Sequence, residues 1–209
     1  MNKNKTLLII VLVFVLLLGG AYVLYNRLAQ DAAPDQLSVQ GGAEAQTAPQ
    51  SEKPQQNTGG SGGESTEPEK ILAPDFTVYD SEGNEVHLSD FTGKPIVLNF
   101  WASWCGPCKM EMPDFDDAYA ELGEDVHFLM VNMTSGRETL ESATSFIEEQ
   151  GYSFPVYYDT DADAAMTYGI YSLPTTLFID AEGYGIAQAT GAINAETLQR
   201  GIDMISPKK

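Results

Sequence analysis

The chain's two cysteines stand three positions apart, in the run Trp104-Cys105-Gly106-Pro107-Cys108-Lys109. An apolar, β-prone run at residues 95–103 precedes them, and a helix-prone run at 109–122 follows. The spacing therefore sets both sulfurs at a strand-to-helix junction. At a helix start the first backbone N–H groups lack intrahelical partners, and the helix dipole favours negative charge. A thiolate placed there is stabilised, and the thiolate is the nucleophilic form. Cys105 is thus expected to be a surface nucleophile with a lowered pKa. Cys108, one helical turn on, can close a disulfide with it and act as the resolving thiol that releases a bound client.

Charge narrows the function classes. A formal net charge of −19 over 209 residues leaves no cluster of Lys and Arg to neutralise phosphates, so nucleic acid is excluded as a partner. With no cysteine beyond the pair there is no structural disulfide framework. His87 and His127 are the only imidazoles, too few to complete a four-ligand zinc site with the two sulfurs in one place. No metal and no cofactor is expected.

The N-terminal region reads differently from the rest. Residues 1–29 form a cytoplasmic tip and a signal anchor, with an uninterrupted apolar run over about 7–25. That run approaches the roughly 20 residues that span a bilayer core and exceeds the roughly 7–15 of a signal-peptide core. No cysteine follows it, which rules out a lipoprotein anchor, whereas the small Ala29, Ala32 and Ala33 leave a cleaved signal peptide open. Lys3 and Lys5 predict a cytoplasmic start, a single pass through the cell membrane and an extracytoplasmic C-terminal domain. Residues 30–70, acidic and rich in Gly, Ser, Gln and Pro, cannot bury enough apolar surface to offset ordering and read as a disordered linker. At roughly 5–6 Å × √n such a tether spans about 35 Å.

Residues 71–209 read as one domain. Alternating runs at 75–79 and 85–88 around a Ser-Glu-Gly-Asn turn predict a hairpin, and a short helical turn follows before Gly93. A buried strand at 95–103 leads into a helix at 105–122 that Pro113 should kink. A second buried strand (126–133), a helix (138–149), a short strand (156–158) and a short helix (162–168) come next. A hairpin over 175–180 and 186–190 and a helix over 195–205, capped by Asn194, complete it. This order is an α/β pattern with mixed sheet pairing.

At this point the chain resembles the thioredoxin superfamily. Three stretches carry the resemblance in order: Asn99 to Lys109, then Leu173-Pro174-Thr175-Thr176 before a strand, then Thr190-Gly191-Ala192 before the last helix. It is most similar to the membrane-anchored, extracytoplasmic ResA and TlpA branch. That branch shares Ala73-Pro74-Asp75-Phe76, a central helix–strand insertion, and the Cys108-Lys109-Met110-Glu111-Met112-Pro113 frame. The resemblance implies a thioredoxin-like fold: a central mixed sheet flanked by helices, with an N-terminal β-hairpin and the insertion. Two positions depart from the relatives. Asn99 stands where thioredoxin has a buried aspartate, and Gly106 where ResA-type proteins often have Glu.

The resemblance also implies roles. Glu111, three residues past Cys108 on the same helical face, becomes the acid/base candidate, with a pKa raised by partial desolvation between Met110 and Met112. Pro174 is expected to be cis and to abut the disulfide. Leu173 would present backbone groups to an extended client. Trp104, Gly106 and Pro107 complete the client-binding surface, with Trp104 covering the disulfide, whereas Trp101 is expected in the core. The implied activity is protein-disulfide reduction on client proteins, apocytochrome c among them, with electrons from an integral membrane thiol carrier of the CcdA or DsbD type. Alternatives are an oxidase or isomerase of the same fold, or a non-enzymatic Sco-like copper protein. The cysteine spacing is one residue short for the latter, and the Pro-x-x-x-Thr-x-x-Cys frame of a peroxiredoxin is missing.

Overall fold

The computed structural model describes residues 37–39 and 70–206, all within one compact unit, Gln36–Lys209. The apolar run at 7–25 and most of 30–70 lie outside the described residues. No helix among the described residues is long and apolar enough to cross a membrane.

One nine-stranded mixed sheet organises the domain. Its strands are β1 (Ser38–Val39), β2 (Ile71–Leu72), β3 (Thr77–Tyr79), β4 (Glu85–His87), β5 (Ile96–Trp101), β6 (His127–Asn132), β7 (Val156–Tyr158), β8 (Thr175–Ile179) and β9 (Tyr184–Thr190). The spatial order is β1-β9-β8-β5-β6-β7-β3-β4, with β2 also on β9. Central β5 runs parallel to β6 and antiparallel to β8. All six of its residues are buried, which is why its sequence shows no polar alternation. Four helices join these strands: α1 (Gly106–Leu122), α2 (Leu140–Gln150), α3 (Asp163–Thr167) and α4 (Ala195–Ile205). A 3-10 turn over Leu88–Phe91 follows the β3–β4 hairpin.

The strand period of two divides β5 between two cores. Val97 and Trp101 join Cys108, Met112, Phe115, Leu198 and Ile202 on one side. Ile96, Leu98 and Phe100 join Phe76, Leu129 and Ile179 on the other. Asn99 falls between Val97 and Trp101 and so takes the side of α1. Helix α1 carries Pro113 in its interior and continues to Leu122 as one element. The α2 start is capped by Thr139, whose hydroxyl accepts from Ser142 N, and Gly151 closes the helix in the left-handed region at φ 72°.

Within the stretch read as linker, one segment belongs to the sheet instead. Ser38 lies opposite Gln188 and Val39 opposite Ala187, antiparallel, and Ser38 Oγ donates to Gln188 O at 3.1 Å. Leu37 is half-buried against the core. Farther along the same edge, Ile71 pairs with Gly185 and Leu72 with Tyr184. A Leu-Ser-Val island in a polar stretch is short, but the β9 edge offers it free backbone groups and a place for an apolar side chain.

Candidate active site

Strand β5 ends at Trp101 and the chain turns at once into α1, so the redox turn stands at one end of the central strand. Cys105 and Cys108 form a disulfide, with 2.08 Å between the sulfurs and 5.3 Å between the Cα atoms. Cys105 is the N-cap of α1, and its Sγ accepts from Cys108 N at 3.2 Å. Pro107 sits in the first turn, where a helix needs no N–H from it. Cys105 was expected at the surface, but only 4 % of it is exposed, and Cys108 is fully buried. The reason is local: in the disulfide the Cys105 sulfur is turned back over the helix start toward its buried partner. Gly106 and Pro107 remain exposed, and Trp104 is 45 % exposed.

The Leu173–Pro174 peptide is cis, with Leu173 half-buried and Pro174 buried. The Pro174 carbonyl accepts from Gly191 N at 2.8 Å, joining this loop to the Thr190-Gly191-Ala192 stretch. Trp101 is wholly buried and packs on Phe146, a core residue as expected.

Glu111 lies one turn beyond Cys108 and is 2 % exposed. Asn99 Nδ2 donates to its Oε1 at 2.9 Å, and Ile193 N donates to its Oε2 at 2.9 Å. Burial pushes the carboxyl up to about 8 despite both bonds, with the nearby Asp114 adding in the same direction. An ordinary cysteine thiol titrates near 8.5, in the same range as this carboxyl. Asn99 Nδ2 also donates to Thr176 Oγ1 at 3.0 Å, while Asn99 Oδ1 has no partner among the described residues.

The β6–α2 loop reaches the other flank of the redox turn. Glu138 is 3 % exposed, and its carboxylate accepts from Ser103 N and Ser103 Oγ, both at 2.8 Å, and from Asn132 Nδ2 at 2.9 Å. Beside it, the exposed Arg137 lays its guanidinium over Trp104, 3.6 Å from the ring centroid. Lys109 Nζ stands 4.9 Å from the Phe146 ring.

A profile described as the AhpC/TSA family matches residues 71–184. The thiol-disulfide oxidoreductase ResA of Bacillus cereus is 35% identical over 136 residues, 65% of this chain and 77% of that protein. The chain belongs to the AhpC/TSA family, among its ResA-like thiol-disulfide oxidoreductases. Solved structures agree. StoA of Bacillus subtilis aligns over 63% of this chain and 97% of its own, with TM-score 0.55 and 26% identity. The exposed lipoprotein thioredoxin Etrx1 of Streptococcus pneumoniae aligns over 62% of this chain and 98% of its own, with TM-score 0.56 and 31% identity. The fold of this oxidoreductase is accordingly thioredoxin-like, a mixed sheet between helices.

Sequence reasoning picked out the sulfurs, Glu111, Trp104 and the Leu173–Pro174 turn in this oxidoreductase. It missed Glu138, Asn132 and Arg137. Their only sequence signal is position: a polar residue at the end of a buried strand and two in the loop that follows it, where loops of an α/β sheet gather around a site. Tyr171, 97 % exposed just ahead of Leu173, was likewise overlooked.

Proposed function

We propose that the chain is a membrane-tethered, extracytoplasmic protein-disulfide reductase. The observation that carries this reading is a disulfide at the start of α1 with a buried carboxyl, Glu111, one turn along the same helix. In the reduced protein the Cys105 thiolate, favoured by the unpaired N–H groups of the helix start, attacks one sulfur of a client disulfide. A mixed disulfide forms and the first client thiolate leaves. Cys108 then attacks Cys105 Sγ, giving up its proton to Glu111 in its ionised form, and the second client thiolate departs. The client gains two electrons and two protons, and the protein is left with the Cys105–Cys108 bond.

Trp104, Gly106, Pro107 and Leu173 supply the surface for an extended client segment, with Pro174 shaping the turn beside it. The apolar N-terminal run supports a membrane anchor, and the ResA-like relationship supports clients such as apocytochrome c and a membrane thiol carrier as the electron source. The Gly-Pro dipeptide between the sulfurs supports the reducing direction.

Cys105→Ser should abolish reduction of insulin by the pre-reduced protein, and Cys108→Ser should accumulate a mixed disulfide detectable by mass spectrometry. Equilibration with glutathione buffers should give a potential nearer thioredoxin, about −270 mV, than the oxidase DsbA, about −120 mV. Insulin turnover by Cys105→Ser would remove the mechanism, and a DsbA-like potential would turn the reading to the oxidase.

A further inference from the structure

Cations are scarce on this acidic domain: Lys70, Lys94, Lys109, Arg137 and Arg200 are the lysines and arginines among the described residues. Lys70 pairs with Asp180 at 3.2 Å, Lys94 donates to the Glu124 carbonyl, and Arg200 donates to the Thr197 hydroxyl. The other two flank the redox turn. Lys109 follows Cys108 directly, and Arg137 lies on the ring of Trp104, which precedes Cys105. Neither has a carboxylate partner among the described residues. Among the described residues, two of the five lysines and arginines thus stand beside the disulfide with no carboxylate partner.

The setting of Arg137 is built. Its neighbour Glu138 is buried and holds Ser103 by main-chain and hydroxyl hydrogen bonds, and Ser103 adjoins Trp104. One carboxylate therefore fixes the backbone on both sides of the guanidinium–indole stack. Arg137 and Trp104 are both exposed, so an N–H edge of the guanidinium held over the indole can be met from solvent. That edge is a planar fork suited to a carboxylate, already oriented before any partner arrives.

We propose that Arg137 is a specificity-determining residue that pairs with a carboxylate lying next to the disulfide of the client. The proposal rests on the reading of Cys105 as the client-facing nucleophile. It concerns position, because the net charge of −19 repels an acidic polypeptide as a whole. Arg137, on the ring of the residue next to Cys105, offers a local exception, as does Lys109 next to Cys108.

The test uses the full chain in detergent, pre-reduced, and two peptides bridged by one disulfide that differ only in Glu or Gln beside a cysteine. The ratio of second-order rates for the two peptides is read at fixed ionic strength, so any change in Cys105 acidity cancels. Wild type should favour the Glu peptide by about threefold to fivefold, the scale of an exposed but pre-oriented ion pair. Arg137→Gln should bring the ratio to about one or below, with Arg137→Lys in between. A wild-type ratio at or below one, or the same ratio in Arg137→Gln, overturns the inference while leaving the thiol exchange standing. Reduction of neither peptide overturns the exchange reading and the inference with it.

Discussion

At Glu111, burial outweighs two hydrogen bonds, and this sets a pH dependence with a definite sign. The folded carboxyl titrates at about 8, against an ordinary value of 4.5. Between those limits the unfolded chain has released the proton and the folded chain retains it, so raising the pH favours unfolding. The contribution of Glu111 to stability is complete below 4.5 and is lost as the pH rises to about 8. Its slope reaches at most about 1.4 kcal/mol per pH unit. Glu111→Gln should remove this component, so that its denaturant midpoints fall less steeply than wild type across that window. Parallel curves would show that the carboxyl ionises freely. Asn99 suits either state of its neighbour. As found, its Nδ2 donates to Glu111, and a half-turn of the amide would present Oδ1 to a protonated carboxyl and to the Thr176 hydroxyl.

Among the elements, α4 shows how closely a helix must approach the sheet to complete the site. It buries Thr197, Leu198, Gly201, Ile202 and Ile205, a single stripe at helical spacing. Gly201 faces the ring of Phe178 in β8, and a Cβ there would overlap that ring. Phe178 is wholly buried in the sheet and has no room to yield. Gly201→Ala should therefore destabilise the fold. Its gain of about 1 kcal/mol in helix propensity is outweighed by an overpacking cost of about 1–3 kcal/mol, which severe overlap drives to the upper end. Denaturant titration gives the sign, and a stabilised variant would show that α4 can lift away. The consequence reaches the redox centre, because the loop entering α4 carries the Ile193 N–H that donates to Glu111.

For the whole molecule, two short strands cover the β9 edge, one of them more than thirty residues ahead of the other in sequence. A chain beginning at Lys70 keeps β2 but loses β1 and the burial of Leu37. Its stability should fall by about 1–2 kcal/mol, the scale of one aliphatic side chain exposed. Amide exchange along Ala187–Gln188 should quicken. Insulin reduction should persist, because Cys105, Cys108 and Glu111 are held by β5, α1 and α4 instead. An unchanged melting curve would mean that β1 adds nothing to the domain.

Local pattern in the sequence determined the sequence-near features: the largely apolar run of β5, the cysteine frame at its end, the β3–β4 turn and the Asn194 cap whose side chain accepts from Thr197 N. Each depends on residues within one strand or one helical turn, so periodicity and spacing expose it. Tertiary structure alone decided the environment of those residues. Glu111 meets Asn99 across 12 positions and Ile193 across 82, and Ser103 meets Glu138 across 35. A desolvation that lifts a carboxyl toward a thiol depends on everything packed around it, as does a loop folding back to set an arginine on Trp104 or an early segment finding the edge of β9. Contacts between residues far apart in the chain leave no local repeat, because their energy comes from burial and pairing that exist only once the sheet has formed.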